Sequence, residues 1–183
     1  MHKLRPTLWR TCRAIAHETR LRLLWEIFKG NELCVTDLGR VVGISEPTAS
    51  IQLRTLSSRG LICPVRGKLN VIYHPEANDE LEHVEKLLDA LRHSFANGVS
   101  FESVIHQATA FTHLRRILIV RALSASPKTF GKLMKETGIA PPALARHLNK
   151  LEARLFIKKQ GKLYCLTRPK NPLGKILLEI AGA

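Results

Sequence analysis

The sequence predicts a mainly α-helical protein with small β-hairpins, in which one structural unit occurs twice. Apolar residues recur at helical spacing along most of the 183 residues, and 45% hydrophobic with 24% charged residues is typical of a folded domain. Two segments, GISEPTASIQLRTL at 43–56 and GIAPPALARHLNKL at 138–151, share one outline at an offset of 95 residues. We therefore expect two domains, at residues 1–97 and 98–183.

Four helices are predicted before the first hairpin. Ser45 is placed to cap the fourth helix, and Pro47 is tolerated there because first-turn N–H groups have no partner within the helix. Glycines that follow the second, third and fourth segments supply the stops. The predicted helices cover residues 7–15, 18–29, 36–42 and a segment from Ser45 to Gly60.

A hairpin and a fifth helix complete the first unit. LICPV (61–65) and LNVIY (69–73) are rich in β-forming residues and are joined by Arg66-Gly67-Lys68, which places basic residues at the tip. The next segment, about 79–95, has one apolar face and Asn78 as a candidate cap.

The second half repeats this order. Helices are predicted at 101–111, 113–123, 129–138 and 141–154, a hairpin at 156–167, and a last helix at 172–181 capped by Asn171. At the fixed offset of 95, the residues that match include Arg20, Leu23, Gly43, Pro47, Leu53 and Arg59. The agreement in order and length of the elements argues more strongly for a repeat than these identities do.

Each unit therefore has the plan of a winged helix-turn-helix, whose second helix fits the major groove of DNA while the hairpin touches the backbone. In the first unit, Ala49, Leu53 and Leu56 are expected to face the core. The opposite side offers short polar and basic groups for base edges and phosphates. The candidate DNA-binding residues there are Ser45, Thr48, Ser50, Ile51, Gln52, Arg54 and Thr55.

The second unit and the two wings add further candidates. The second recognition helix presents Arg146, His147, Asn149 and Lys150, so its chemistry differs and we expect unlike half-sites. The net charge of +14 favours a polyanionic partner. Because hairpin tips are exposed, the most secure phosphate contacts are those of the wings, Arg66, Lys68, Lys158, Lys159 and Lys162.

Residues 16–62, AHETRLRLLWEIFKGNELCVTDLGRVVGISEPTASIQLRTLSSRGLI, closely resemble the arsenic-repressor (ArsR) family of bacterial transcriptional repressors. The resemblance lies in the HxTRLRLL helix, the ELCVxDL helix and the GISxxTxSxxLxxLxxxGLI segment. Family members are usually homodimers joined through their first and last helices. The resemblance therefore implies a monomer in which two units pair as a single-chain pseudo-dimer, with a homodimer as the alternative.

The family's metal sites are incomplete in this chain, so no metal or other cofactor is predicted. Its thiol site has two cysteines in ELCVCDL, whereas here Cys34 is followed by Thr36. Cys12 is expected to be a buried structural thiol rather than a replacement ligand. His83 and His93, ten residues apart, do not match the family's alternative site on the last helix, and both are expected at the surface.

These observations favour a non-enzymatic, sequence-specific regulator that binds double-stranded DNA as a repressor. No catalytic grouping occurs, cysteine spacing fits a reducing cytoplasm, and no apolar run approaches the roughly 20 residues of a membrane span. Two alternatives remain at this point: an architectural or protein-binding tandem winged-helix module, and an RNA binder.

Overall fold

The computed structural model describes residues 7–67, 71–75 and 82–183, which form two similar units. The first unit contains α1 (Leu8–Ile15), α2 (Glu18–Phe28), α3 (Val35–Val42), α4 (Glu46–Ser57), β1 (Cys63–Arg66), β2 (Val71–His74) and α5 (Glu82–Ala96). The second contains α6 (Phe101–Ala108), α7 (Leu114–Ala125), β3 (Lys128–Thr129), α8 (Phe130–Thr137), α9 (Pro141–Ala153), β4 (Ile157–Gln160), β5 (Leu163–Leu166) and α10 (Pro172–Gly182). The expected tandem winged helix-turn-helix fold is confirmed.

The first unit folds close to expectation. The Ser45 hydroxyl accepts a hydrogen bond from the Thr48 backbone N–H at 3.4 Å and so caps α4. The hairpin starts two residues later than predicted, because Leu61 and Ile62 are buried in the core instead of entering a strand. The predicted cap Asn78 and the predicted wing residue Lys68 lie outside the described residues.

The second unit has a third strand that the sequence did not indicate. Strand β3 pairs antiparallel with β5, which also pairs with β4, so the order is β3-β5-β4. In the first unit the counterpart is a single bridge between Cys34 and Ile72. Strand β3 consists of two polar residues, Lys128 and Thr129, which show no strand pattern. Thr129 also caps α8.

The fixed offset of 95 residues is wrong for the first two helices of each unit. Buried residues of α2 correspond to those of α7 at an offset of 96, as with Leu21 and Ile117. Arg20 therefore corresponds to Arg116 and not to Arg115. The offset returns to 95 in α4 and α9, where Leu53 corresponds to Leu148. The connection before α8 is shorter than the one before α3, and this difference accounts for the change.

The ends of α4 and α9 use the same left-handed turn with different residues. Gly60 has φ of +71° and Leu155 has φ of +62°, and Leu155 is the one residue other than glycine with positive φ among the described residues. The next backbone N–H donates to the helix in both cases, Leu61 to Leu56 O at 3.2 Å and Phe156 to Leu151 O at 3.1 Å. The turn has thus been kept although glycine has been lost.

Replacing Leu155 with glycine should raise the free energy of unfolding by about 1 kcal/mol. A left-handed conformation costs roughly 1–2 kcal/mol in a residue with a Cβ, and the added freedom of glycine in the unfolded chain offsets part of that gain. Leu155 is 70% exposed, so little packing is lost. Urea unfolding would test this, with Leu155→Ala as control; a glycine variant no more stable than the alanine variant contradicts the strain.

The two units share a hydrophobic core. Helix α5 packs against α10, and α6 packs against α1, α2 and α10. The Phe95 ring lies 5.6 Å from Trp25 and 5.3 Å from Phe101 between ring centroids, which joins α5 to α2 and α6. Lys86 Nζ and Glu179 Oε1, 3.1 Å apart, connect α5 to α10 at the surface. The expected pseudo-dimer therefore pairs through the first and last helices of its units.

No helix in the described part of the chain has both the length and the apolar character that crossing a bilayer requires.

Candidate nucleic-acid interface

Helix α4 presents a mixed face to solvent. Ala49, Leu53 and Leu56 are buried as predicted. The exposed candidates on this helix and its cap are Ser45, Thr48, Ile51 and Arg54, while Ser50 and Thr55 are half-buried. Arg54 Nε donates to the Ser50 carbonyl at 3.3 Å and the Thr55 hydroxyl to the Ile51 carbonyl at 2.9 Å, so both side chains lie along the helix surface.

Gln52 is engaged inside the unit. Its side chain is half-buried, and Oε1 accepts a hydrogen bond from Arg20 Nη1 at 2.8 Å. The same guanidinium donates to the backbone carbonyls of Ala14 and Arg13. Arg20 of α2 is therefore hydrogen-bonded both to the end of α1 and to the recognition helix α4. Gln52 thus holds α4 against the rest of the unit.

Helix α9 exposes Arg146 and Asn149, while Lys150 is half-buried. Burial lowers the pKa of Lys150, and the nearby cations Arg154 and Arg116 lower it further. Leu144, Leu148 and Leu151 face the core. The exposed part of α9 therefore carries an arginine and an asparagine where α4 carries Ile51 and Arg54.

The prediction that His147 belongs to this exposed face is wrong. His147 is 3% exposed, and its ring centroid lies 4.6 Å from that of His113 at the start of α7. Burial, together with the neighbouring His113 and Arg116, lowers its pKa to about 4. Position 147 follows Leu144 by three residues and precedes Leu151 by four, so it lies on the buried side of the helix.

The wing of the second unit carries three exposed lysines. Lys158 and Lys159 lie on β4, and Lys162 follows the turn at Gly161. Lys159 Nζ lies 5.8 Å from the centroid of the Tyr164 ring. In the first unit Arg66 is exposed at the end of β1.

A shallow groove of about 420 Å³ lies beside this wing. Thr129, Phe130 and Gly131, at the N-terminus of α8, line it opposite Lys159 and Lys162. Unpaired N–H groups and the helix dipole make such an end attractive to a phosphate. The sequence predicts a helix from residue 129 but not that its start lies beside the wing. The Thr129 hydroxyl accepts a hydrogen bond from the Lys132 backbone N–H at 3.3 Å and caps α8.

The cysteines are not arranged as a metal centre. Cys12 is fully buried as expected, and burial raises the pKa of its thiol. The Cys34 thiol donates to Asp37 Oδ2 at 3.0 Å. His93 is exposed, but His83 is half-buried rather than at the surface. Within residues 7–67, 71–75 and 82–183, no three His, Cys, Asp or Glu side chains are grouped closely enough to hold a metal ion.

Comparison with known proteins agrees with this geometry in both halves. Residues 17–63 and 113–158 each match the model of a family described as bacterial regulatory protein, arsR family. Over 85 residues the chain is 35% identical to the HTH-type transcriptional regulator NmtR of Mycobacterium tuberculosis, a match covering 46% of this chain and 67% of that regulator. No solved structure gives a significant match. The two matched segments contain α2 to α4 and α7 to α9, which are the helices that build each recognition surface.

Proposed function

We propose, from the premise that the chain belongs to the arsR family of bacterial regulatory proteins and is a DNA-binding transcriptional regulator, that it is a repressor whose two units bind one operator. The observation that carries the proposal is that each unit has its own recognition helix and wing, and both units share one core. Such a molecule would act in the cytoplasm, where its DNA lies, and is not an enzyme.

The two recognition helices favour an operator with unlike halves. Arg146 and Asn149 on α9 are side chains that bind guanine and adenine edges through paired hydrogen bonds. Ile51 on α4 is 55% exposed and suits contact with a thymine methyl group. A symmetric homodimer would read the same bases twice, whereas this chain would read two different half-sites.

Repression would follow from occupancy alone. A chain that covers two successive segments of the major groove, with a wing on the backbone at each side, competes with polymerase for a promoter. Transcription in vitro from the chain's own promoter would test this. Transcript should fall as protein is added, and a rise would mean that the regulator is an activator.

We keep the division into units at 1–97 and 98–183 as part of the proposal. Gly98 adopts φ of +71° two residues after the end of α5, in the connection that leads to α6. Because α6 packs on α1 and α2, the pairing surface uses helices of both units. Neither unit is therefore expected to bind DNA well when produced alone.

The pseudo-dimer is tested by stoichiometry. Light scattering should give a particle of 20.6 kDa, and titration of a labelled duplex should saturate at one chain per duplex. A particle of about 41 kDa with two chains per duplex would show four winged helices in the complex and contradict the single-chain arrangement.

Replacing Arg146 with alanine should relax base preference at particular positions of one half-site, by about 1–3 kcal/mol for the preferred base. Arg121, an exposed arginine of α7, provides the matched control in Arg121→Ala. Binding would be measured on a set of duplexes with single base-pair changes. An equal loss on all duplexes would make Arg146 a backbone contact.

A further inference from the structure

A basic cleft lies beside the recognition helix of the second unit. It has a volume of about 560 Å³ and is open to solvent between α7 and α9. From α7 and its cap come His113 and Arg116, and from α9 come Arg146, His147, Asn149 and Lys150. This volume lies within the range of small-molecule sites and greatly exceeds that of a phosphate ion.

No acidic side chain of the described structure neutralises the charges that line the cleft. None of its lining residues is acidic. Among the described residues, Arg116, Arg146 and Lys150 form no ion pair with an acidic side chain. Several cations held close together without a partner repel one another, and an anion between them relieves that repulsion.

Two polar atoms of the cleft lack hydrogen-bond partners in the described part of the chain. His147 Nε2 is buried and forms no hydrogen bond there. Arg116 donates through Nε to the Ala110 carbonyl and through Nη2 to Thr109 and Thr112, but its Nη1 has no acceptor among the described residues. Of these two, His147 Nε2 is a buried atom whose missing partner costs free energy, so an external acceptor that reaches it and also takes the remaining donor of Arg116 would be bound favourably.

The corresponding location in the first unit lacks the unpaired and charged groups that line the cleft. There the Nη1 of Arg20 is occupied by Gln52, whose counterpart in the second unit is His147. The positions of Arg146 and Lys150 are taken by Ile51 and Thr55, which carry no charge. The second unit has therefore lost an internal hydrogen bond and gained two cations at one location.

We propose that this cleft is a binding site for a phosphate group. The guanidinium of Arg146, the Nη1 of Arg116 and the ammonium of Lys150 supply charge, while Asn149 and His147 supply neutral donors. The phosphate has two possible sources, a free phosphate or phosphorylated small molecule that modulates the regulator, and the DNA backbone itself. With a free phosphate the inference goes beyond the proposed function, whereas with the DNA backbone as source it rests on that function.

Histidine titration gives a direct readout of occupancy. His147 is faced by His113, Arg115 and Arg116 from α7 and by Arg146 from α9, all of which oppose its protonation. Arg13 of α1 adds to the positive field at His113. A bound phosphate anion opposes this field, so the pKa of His147 should rise by at least one unit.

The experiment is an NMR titration of the imidazole nitrogens, with inorganic phosphate added to the DNA-free protein and chloride at matched ionic strength as control. We expect the shift at His147 and a loss of phosphate affinity of at least tenfold in His147→Gln. That variant places a glutamine beside Arg116, as in the first unit, and should stay folded. Lys175→Ala, which removes an exposed charge on α10, should bind phosphate normally.

The outcomes distinguish a free phosphate from the DNA backbone as the bound group. They also test the phosphate site separately from the proposed function. A response to inorganic phosphate identifies a free-anion site, and a response only to duplex DNA identifies the backbone as the source. No response to either, or unchanged phosphate binding by His147→Gln, overturns the inference. Specific DNA binding with no response at His147 would support the proposed function and contradict the phosphate site. Phosphate binding without specific DNA binding would support the phosphate site and contradict the proposed function.

Discussion

Replacing Lys158, Lys159 and Lys162 with alanine should weaken binding to every DNA sequence roughly 100-fold at 0.15 M salt, on the scale of three lost phosphate contacts. Each contact displaces counterions from DNA, so the slope of log affinity against log salt should fall by about 0.9 per lysine. Because these side chains are exposed on β4 and its turn, the fold should be unaffected. Affinity would be measured at several salt concentrations.

The matched control removes the same charge elsewhere. Arg121, Lys170 and Lys175 are exposed and lie outside α9 and the wing. Their triple alanine variant loses three charges but no proposed contact, so its slope should stay close to that of the unchanged protein. Equal slopes for the wing variant and the unchanged protein would remove the second wing from the interface.

Lowering the pH from 7 to 4 should destabilise the protein by about 3 kcal/mol through His147 alone. The pKa of this residue is lowered from 6.5 to about 4 by burial and neighbouring cations, so the unfolded chain binds the proton more tightly. Its contribution to stability is complete above pH 6.5 and is lost as the pH falls towards 4. His147→Gln should lack this contribution.

Urea unfolding at pH 7 and pH 4 would measure the effect, in a buffer free of phosphate and sulfate because these anions would occupy the cleft. The quantity to compare is the change in unfolding free energy between the two pH values, since other groups titrate in both proteins. His93→Gln, at an exposed position outside the cleft, is the matched control for the substitution. The same pH dependence in His147→Gln and the unchanged protein would contradict the burial argument.

The order of elements was predictable because its signals are local. Helical spacing of leucines, glycine stops and the serine cap at Ser45 depend on neighbouring residues, and the structure confirms all of them. The start of the first hairpin was misplaced because the burial of Leu61 depends on contacts that are distant in sequence. For the same reason strand β3 was missed, since only its pairing with β5 makes it a strand.

The candidate site was predictable as a surface but not side chain by side chain. Arg54, Arg146 and the wing lysines are exposed as the helical and hairpin patterns require. Gln52 and His147 both occupy a position at the edge of the apolar stripe, where helical spacing allows a polar side chain to face the core or the solvent. Gln52 is held by a hydrogen bond from Arg20 on α2, whereas His147 packs against the ring of His113 at the start of α7. No local pattern identifies those partners.

The one-residue change in the repeat offset has the same origin. A fixed offset pairs Arg20 with Arg115, which is exposed, although the residue that reproduces the contacts of Arg20 is Arg116. Both arginines donate to a carbonyl near the end of the preceding helix, Arg20 to Ala14 in α1 and Arg116 to Ala110 just beyond α6. Residues of the two units are therefore equivalent when they make the same hydrogen bonds. An alignment based on identical residues does not contain this information.

The most direct test of the central claim is a fluorescence-anisotropy titration of the full chain against DNA from upstream of its own gene and against a scrambled duplex. Both are titrated at low salt and at near-physiological salt. The account predicts that binding to the upstream DNA survives added salt while binding to the scrambled duplex is lost, because base contacts do not depend on counterion release. Equal binding to both duplexes, abolished equally by salt, would contradict a sequence-reading regulator and leave only a basic surface.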